Sequence, residues 1–331
     1  MRLSKMPLTK MPCVKMPFSK MHGIGNDYVY VDLSQCPIDN PAEVARAVSD
    51  RHTGIGSDGL ILIDHPSRGV DAHARMRMFN ADGSEAQMCG NGIRCVTKFV
   101  VDRGISSENP LRVETGRGVL EMQWWLGEDG FVSEVEVDMG APILDIASMS
   151  VRWPGVLGGA RIIGAPWTVA MWSDALGAQG ITRGVDWVTS AGVESVATVV
   201  SMGNPHIVFW CRDAAAVPID SVGVAVERHA YFPQRINVHF VQAISRRELL
   251  MRTWERGSGV TLACGTGASA VCVAGVLEDR CDRAVAVNLP GGKLSLRWDE
   301  FDGRVRMRGS ATHVFDGEWD LHTTRAIDAT R

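Results

Sequence analysis

In the run ARMRMFN, residues 74–80, apolar and polar side chains alternate. A period of two puts Ala74, Met76 and Met78 on one face of a strand. The same reading makes strands of LRVETGRGVLEMQWW and VSEVEVDMG, and of RINVHFVQAI and ELLMRTWERG further on. LILID (60–64) is a short buried strand, and HGIGNDYVYVDL (22–33) is a glycine turn followed by a strand rich in Tyr and Val. ATVVSMGNPHIVFW has a strand–turn–strand pattern. Elsewhere the period becomes helical. In residues 39–52, Asn40 is the cap, Pro41 suits the first helical position, and Val44 and Val48 share a face. NGIRCVTKFVVDRG sets Ile93, Val96 and Val100 at helical spacing and stops at Gly104. GASAVCVAGVLEDR (267–280) is a helix with small residues suited to tight packing. Residues 145–190 hold Trp153, Trp167, Trp172 and Trp187 among many glycines, and short strands are expected there.

The 331 residues are enough for two domains. A hydrophobic share of 45% and a charged share of 22% are those of an ordinary globular protein. A net charge of -4 points away from nucleic acid and anionic membranes, and no apolar run reaches a membrane span. The eight cysteines show no C-x-x-C spacing, which argues against a structural zinc site. Their sparse distribution reads as reduced thiols in a cytoplasm rather than a disulfide scaffold. The start of the chain, from Ser4 to Gly23, repeats as SKMPL TKMPC VKMPF SKMHG. Residues 1–15 are expected to be a flexible extension. GIGSDG (54–59) matches a dinucleotide fingerprint by letter, but a helix precedes it and a strand follows, the reverse of what that motif needs. A loop requiring positive φ is the better account.

Two short runs echo each other. MCGNG holds Cys89 and ACGTG holds Cys264, and each opens a helical pattern. Aligned on those cysteines, Gly92 and Gly267 match, as do Phe79 with Trp254, Asn80 with Glu255, and Leu120 with Leu294. Upstream, GNDYVYV resembles GNPHIVF. Matched landmarks in order imply a duplication, folded as two similar α/β domains. A cysteine at a helix start faces unpaired N–H groups and the positive end of the helix dipole, so each thiol is expected below its free pKa. The glycines leave the backbone open for a carboxylate. Two such thiols facing one cleft can remove a proton from the carbon beside a carboxylate and return one to the opposite face. That is inversion by two bases, and it needs no cofactor and no metal. The alternative for either cysteine alone is a small buried core residue.

The blocks MHGIGNDY, FNADGSEAQMCGNGIRC, SMGNPH, RINV, ERGSGVTLACGTGAS and GGKL resemble the diaminopimelate epimerase family, in order, from about Met16 to Leu321. The resemblance implies an α/β (α+β) fold of two pseudo-symmetric domains, each a mixed strand barrel around a central helix. It implies an N-terminal half over 16–138, completed by 310–322, a C-terminal half over 139–309, and a tail at 323–331. It implies interconversion of LL- and meso-diaminopimelate in lysine and peptidoglycan biosynthesis, without cofactor, by a cytoplasmic homodimer. Carried over by motif, Cys89 and Cys264 are the acid–base pair, with His206 and Glu255 close enough to help the thiols ionise. Gly90–Asn91 and Gly265–Thr266 would hold the reacting carboxylate through backbone N–H groups. Asn26, Asn80, Asn204 and Asn237 would hydrogen-bond the substrate. Arg256 would pair with its distal carboxylate.

Two positions depart from the family. Gly59 stands where some members have a glutamine that contacts substrate, and Val260 where many have glutamate. Two other readings stay open. One is a racemase of this fold acting on proline, hydroxyproline or histidine. The other is an amino-acid-binding protein, which would need the helix-terminus sites but not the thiols.

Overall fold

A computed structural model describes residues 14–156 and 159–322. The expected extension lies outside the described residues up to residue 13, as does the expected tail at 323–331. Lys15 already belongs to the first strand.

The first half runs β1 (Lys15–Gly23), β2 (Asn26–Asp32), α1 (Pro41–Ser49), β3 (Gly59–Asp64), β4 (Ala74–Asn80), β5 (Glu85–Ala86), α2 (Gly90–Asp102), β6 (Leu111–Thr115), β7 (Gly118–Leu126) and β8 (Val132–Gly140). A connecting segment follows: β9 (Ala165–Pro166), α3 (Val169–Ala178) and α4 (Asp186–Ser190). The second half repeats the first order as β10 (Val196–Ser201), β11 (Pro205–Trp210), α5 (Ile219–Glu227), β12 (Asn237–Ser245), β13 (Glu248–Glu255), β14 (Gly259–Val260), α6 (Gly265–Leu277), β15 (Ala284–Leu289), β16 (Gly292–Trp298) and β17 (Val305–Ser310). β18 (Thr312–Asp320) returns to pair with β1.

The strand pairings repeat as well. β2 is parallel to β3 and β11 to β12. β3 is antiparallel to β4 and β12 to β13, while β4 is parallel to β6 and β13 to β15. The antiparallel pairs β6–β7 and β7–β8 match β15–β16 and β16–β17. This is duplication at the level of the ladder. The pairing of β8 with β17 joins the halves, with Asp138 opposite Arg306.

Each half wraps its sheet around one helix. Positions 90–100 of α2 are all buried, as are most positions of α6. A helix buried all round belongs in a core rather than on a surface. The small residues of α6 are what let strands approach it closely, and a Cβ on Gly275 would lie 2.5 Å from the Cys281 sulfur.

The expectation of short strands over 145–190 is corrected: among the described residues the only strand assigned there is the two-residue β9, and α3 and α4 carry most of the order. Trp172, Ala175 and Leu176 are buried at helical spacing on α3. Trp172 packs edge-on against Trp187 at 5.0 Å and beside Phe209 at 4.7 Å. Aromatic packing onto the outer face of β11 and β12 selects helix where glycines and isolated tryptophans obscured the period. α5, buried along Ile219, Val222 and Val226, was also not foreseen. GIGSDG is a loop between α1 and β3, with Gly56 at φ 78°, as expected.

The expectation of uniformly reduced thiols fails at Cys36, which is disulfide-bonded. Pairing depends on which sulfurs come within bonding reach, not on overall cysteine density. Cys89, Cys95, Cys211, Cys264, Cys272 and Cys281 are free.

Candidate active site

The two cysteines occupy the same backbone position in the two halves. Cys89 is the N-cap of α2 and Cys264 the N-cap of α6, both in extended conformation. The Gly92 N–H donates to Cys89 Sγ at 3.4 Å, and the Gly267 N–H donates to Cys264 Sγ at 3.3 Å. Glycine three residues on leaves room there: a Cβ on Gly267 would lie 2.4 Å from His239 Cε1 and 3.0 Å from Cys264 Sγ, and one on Gly92 2.7 Å from Ile61 Cδ1.

The helix starts face each other across the joint between the halves. The side chain of Met307 on β17 lies between them: a Cβ on Gly90 would lie 3.0 Å from its methyl carbon, and one on Gly265 3.0 Å from its sulfur. Asn91 Nδ2 crosses the joint, donating to Ala263 O and to Asn26 Oδ1 at 3.3 Å each. Asn91 Oδ1 is buried without a partner. Beneath α2, the fully buried Arg94 donates to Gly90 O at 3.2 Å and to Ser310 O at 3.1 Å, tying the helix start to β17.

Behind Cys89 stands a charged network. The Cys89 thiol donates to Asn26 Oδ1 at 3.5 Å, and Asn26 Nδ2 donates to Asp58 Oδ2 at 2.6 Å. Arg51 binds Asp58 and Asp27 at 2.8 Å each, and Lys20 pairs with Asp27 from the buried side. The Tyr28 hydroxyl also hydrogen-bonds the Cys89 sulfur. Behind Cys264 one branch is neutral and the other ends on a carboxylate. The Thr266 hydroxyl lies 3.7 Å from Cys264 Sγ and accepts from Asn204 Nδ2 at 3.4 Å. Asn204 Oδ1 is 3.0 Å from His206 Nε2. Glu255 hydrogen-bonds Cys264 and accepts from Thr261 at 2.5 Å.

The expectation that both thiols titrate low is corrected. Burial pushes Cys264 well above the ordinary thiol value, and the neighbouring Glu255 carboxylate raises it further. Cys89 is raised too, again by burial first, although the N–H groups of Gly92 and Asn91 pull the other way. The helix starts do favour thiolate, but removing a charge from water costs more than those few dipoles return. Glu255 is pushed up by its own burial, so it is a better acceptor for the Cys264 proton than an exposed glutamate.

Most of the remaining predicted residues are held by protein groups. His206 is fully buried and its two hydrogen bonds go to Asn204 and His239, not to a thiol. Asn237 donates to Pro205 O at 2.8 Å and accepts from the Arg256 N–H at 3.0 Å, which clips the end of β13 beside β11. The Arg256 guanidinium donates to Gln234 O at 3.0 Å. Asn80 donates to Ser84 Oγ at 3.0 Å within its turn. A side chain at Gly59 has no room, because its Cβ would lie 2.1 Å from Phe79 O. Val260, the other departure, is 45% exposed. The sequence reading missed Tyr28, Asp58, Thr261, His239 and Met307. Tyr28, Asp58, Thr261 and His239 lie in segments already singled out, whereas Met307 approaches the site from a distant strand.

Among the described residues no cluster of three or more His, Cys, Asp or Glu has metal-binding geometry, and no helix is long and apolar enough to cross a membrane.

Paired half-barrels, each around one helix and with the helix starts meeting between them, define a known fold class. Solved structures sharing it include a phenazine biosynthesis protein of the PhzF family from Bacillus anthracis, at TM-score 0.65 and 16% identity, covering 92% of this chain and 99% of that one. A hydroxyproline epimerase from Agrobacterium vitis follows at TM-score 0.55 and 14% identity, covering 93% and 91%. The sequence profile of diaminopimelate epimerase matches residues 18–144 and 198–314. The diaminopimelate epimerase of Acetivibrio thermocellus is 47% identical over 92% of this chain and 98% of its own length, and that of Methanococcus maripaludis strain S2 is 43% identical over 92% and 99%. The chain belongs to the diaminopimelate epimerase family. The profile breaks over 145–197, the segment that carries the tryptophan cluster.

Proposed function

We propose that this chain interconverts LL- and meso-diaminopimelate, supplying lysine and peptidoglycan biosynthesis, by proton transfer between Cys89 and Cys264. The observation that carries the reading is the pair of cysteine-capped helices, one from each half, meeting at Met307 and Asn91. The substrate carboxylate docks on the open N–H groups of Gly90–Asn91 and Gly265–Thr266. One sulfur, as thiolate, takes the α-proton. The electron pair passes into the carboxylate, where the helix starts stabilise it. The opposite thiol gives its proton to the other face of the carbon. The first sulfur ends protonated and the second ends as thiolate, ready for the reverse reaction. In the direction where Cys264 is the base, Glu255 first takes the thiol proton and so forms that thiolate. Arg256, which has Ala81 as its counterpart in the first half, makes the site one-sided and pairs with the distal carboxylate.

The same reading places the enzyme in the cytoplasm, where thiols stay available. It also makes the enzyme a homodimer. β18 pairs with β1 and no other described strand, and it exposes Val314 and Phe315. A second copy would cover that edge.

The test is exchange of solvent deuterium into the α-position of LL-diaminopimelate, run beside proline, hydroxyproline and histidine. Exchange with inversion only on diaminopimelate is expected. Inversion of one of the other three instead would replace the substrate, and binding without exchange would make the chain a binding protein.

A further inference from the structure

His206 continues into a second buried histidine. His206 Nδ1 lies 2.9 Å from His239 Nε2, and His239 Nδ1 lies 3.0 Å from Thr253 Oγ1. These residues sit side by side on β11, β12 and β13, and all three are at most 2% exposed. A neutral imidazole has one donor and one acceptor, so a chain of two has a direction. Asn204 Oδ1 sets it. His206 Nε2 must donate to that oxygen, which leaves His206 Nδ1 as acceptor. His239 Nε2 then donates, and His239 Nδ1 accepts from the Thr253 hydroxyl. At the other end, Asn204 Nδ2 donates to Thr266 Oγ1, which leaves the Thr266 hydroxyl proton for the Cys264 sulfur.

We propose that His239 is a positioning residue for Cys264: with Thr253 it fixes the direction of the chain His206–Asn204–Thr266, so that the Thr266 hydroxyl donates to the sulfur. A second contact supports this. A Cβ on Gly267 would lie 2.4 Å from His239 Cε1 and 2.9 Å from its Nε2, so the ring packs directly against the residue whose N–H caps Cys264. Both histidines stay neutral, because burial pushes His239 down to about 3 and His206 well below its ordinary value. The Thr266 hydrogen bond lowers the Cys264 thiol against the upward push of burial and of Glu255, the one charged group facing that sulfur. Arg256 is the charged group facing His206. Among the described residues no such histidine pair stands behind Cys89, where the corresponding asparagine reaches Asp58 instead.

The inference rests on the two-thiol reading above, and its test reads the thiol without substrate. Iodoacetamide labelling, followed by peptide mass spectrometry, gives the alkylation rate of each cysteine against pH in the full chain. Without His239, or without the Thr253 hydroxyl, the Asn204 amide is free to turn, and the Thr266 proton then goes to Asn204 rather than to sulfur. His239→Phe and Thr253→Val are each expected to slow Cys264 labelling about tenfold, the size of one lost hydrogen bond, and to move its pH profile upward. Cys89 labelling should not change. His239→Gln keeps an N–H near the position of Nε2 and should restore most of the rate. In epimerisation, kcat should fall by the same factor while KM for diaminopimelate holds within about twofold. If His239→Phe fails to fold, Thr253→Val carries the test, because it keeps shape and removes only the hydroxyl. Unchanged Cys264 labelling, or equal slowing of Cys89 and Cys264, would overturn the inference. Selective slowing of Cys264 in a protein inactive on diaminopimelate would uphold it and remove the substrate reading instead.

Discussion

The two halves keep the same backbone around their cysteines and differ in what stands behind them. In the first half an asparagine hands the thiol to carboxylates and an arginine that is 56% exposed. In the second, the matching asparagine hands it to two histidines and a threonine sealed inside the sheet. What is repeated is an extended N-cap and a sulfur under the N–H of a glycine three residues on. What has diverged lies one hydrogen bond further out. Glu255 and Arg256 have Asn80 and Ala81 as counterparts, so the carboxylate and guanidinium at these positions belong to the second half alone.

The strongest way to break this comparison is to remove one thiol at a time. Cys89→Ala and Cys264→Ala should each lower epimerisation by about a thousandfold or more, with circular dichroism unchanged. In deuterium oxide the two variants should label opposite isomers, because each retains the base for one face. A single variant with near-normal turnover would end the two-base reading.

Glu255→Gln comes next. It keeps the size of the side chain and removes the acceptor for the Cys264 proton. A fall of about a hundredfold in kcat is expected, and it should leave Cys89 alkylation untouched. Equal slowing at both cysteines would mean that Glu255 acts on the whole cleft.

Arg256→Lys tests the one-sided end. An ammonium cannot reproduce a planar fork on a carboxylate, so KM for diaminopimelate should rise about tenfold or more, with a smaller change in kcat. An unchanged KM would place the distal carboxylate elsewhere.

The smallest effect is in acid. Folded His206 and His239 titrate far below 6.5, while the unfolded chain protonates them near that value. The unfolded state therefore binds more protons between about 6.5 and 3, and stability falls as pH drops through that window. The slope is at most about 1.4 kcal/mol per pH unit for each histidine. In the first half Asp27 is held below its ordinary 3.8 by Arg51 and Lys20 against its own burial, so its contribution is full above that value and is lost only as pH falls beneath it. Amide exchange on lowering pH from 7 to 5 should rise first in β11 and β12, with β2 still protected. A simultaneous onset in both halves would contradict the contrast drawn between their networks.

Much of this arrangement is legible in the chain itself. Apolar patterning located β4, β6, β8 and β10 to β13, because each of those strands buries one face or both, and burial is what writes polarity into sequence; β7 was found although only Met122 in it is buried. The cap at Asn40, the stop at Gly104 and the loop at Gly56 follow from rules that act within a few residues. The duplicated cysteines are equally local, since a sulfur that folds back onto its own helix start needs only the glycine three positions on. The family blocks carry the rest of the site as candidates.

The segment with four tryptophans was illegible because its helices owe their form to Phe209 and Phe240 on other strands, not to their own periodicity. α5 was missed for a similar reason, since it is buried against β12 and β13. The thiol pKa values went the same way. A helix start is visible in sequence and favours the anion, but burial disfavours it more, and burial is a property of everything packed around the sulfur. The sequence alone determined where most strands lie and that two cysteines cap matching helices, because these depend on neighbours in the chain. Only the tertiary structure decided that Met307 and Asn91 join the two helix starts, and that two histidines on adjacent strands stand behind one thiol and not the other. Those contacts are made by residues far apart in sequence, through packing that no local pattern records.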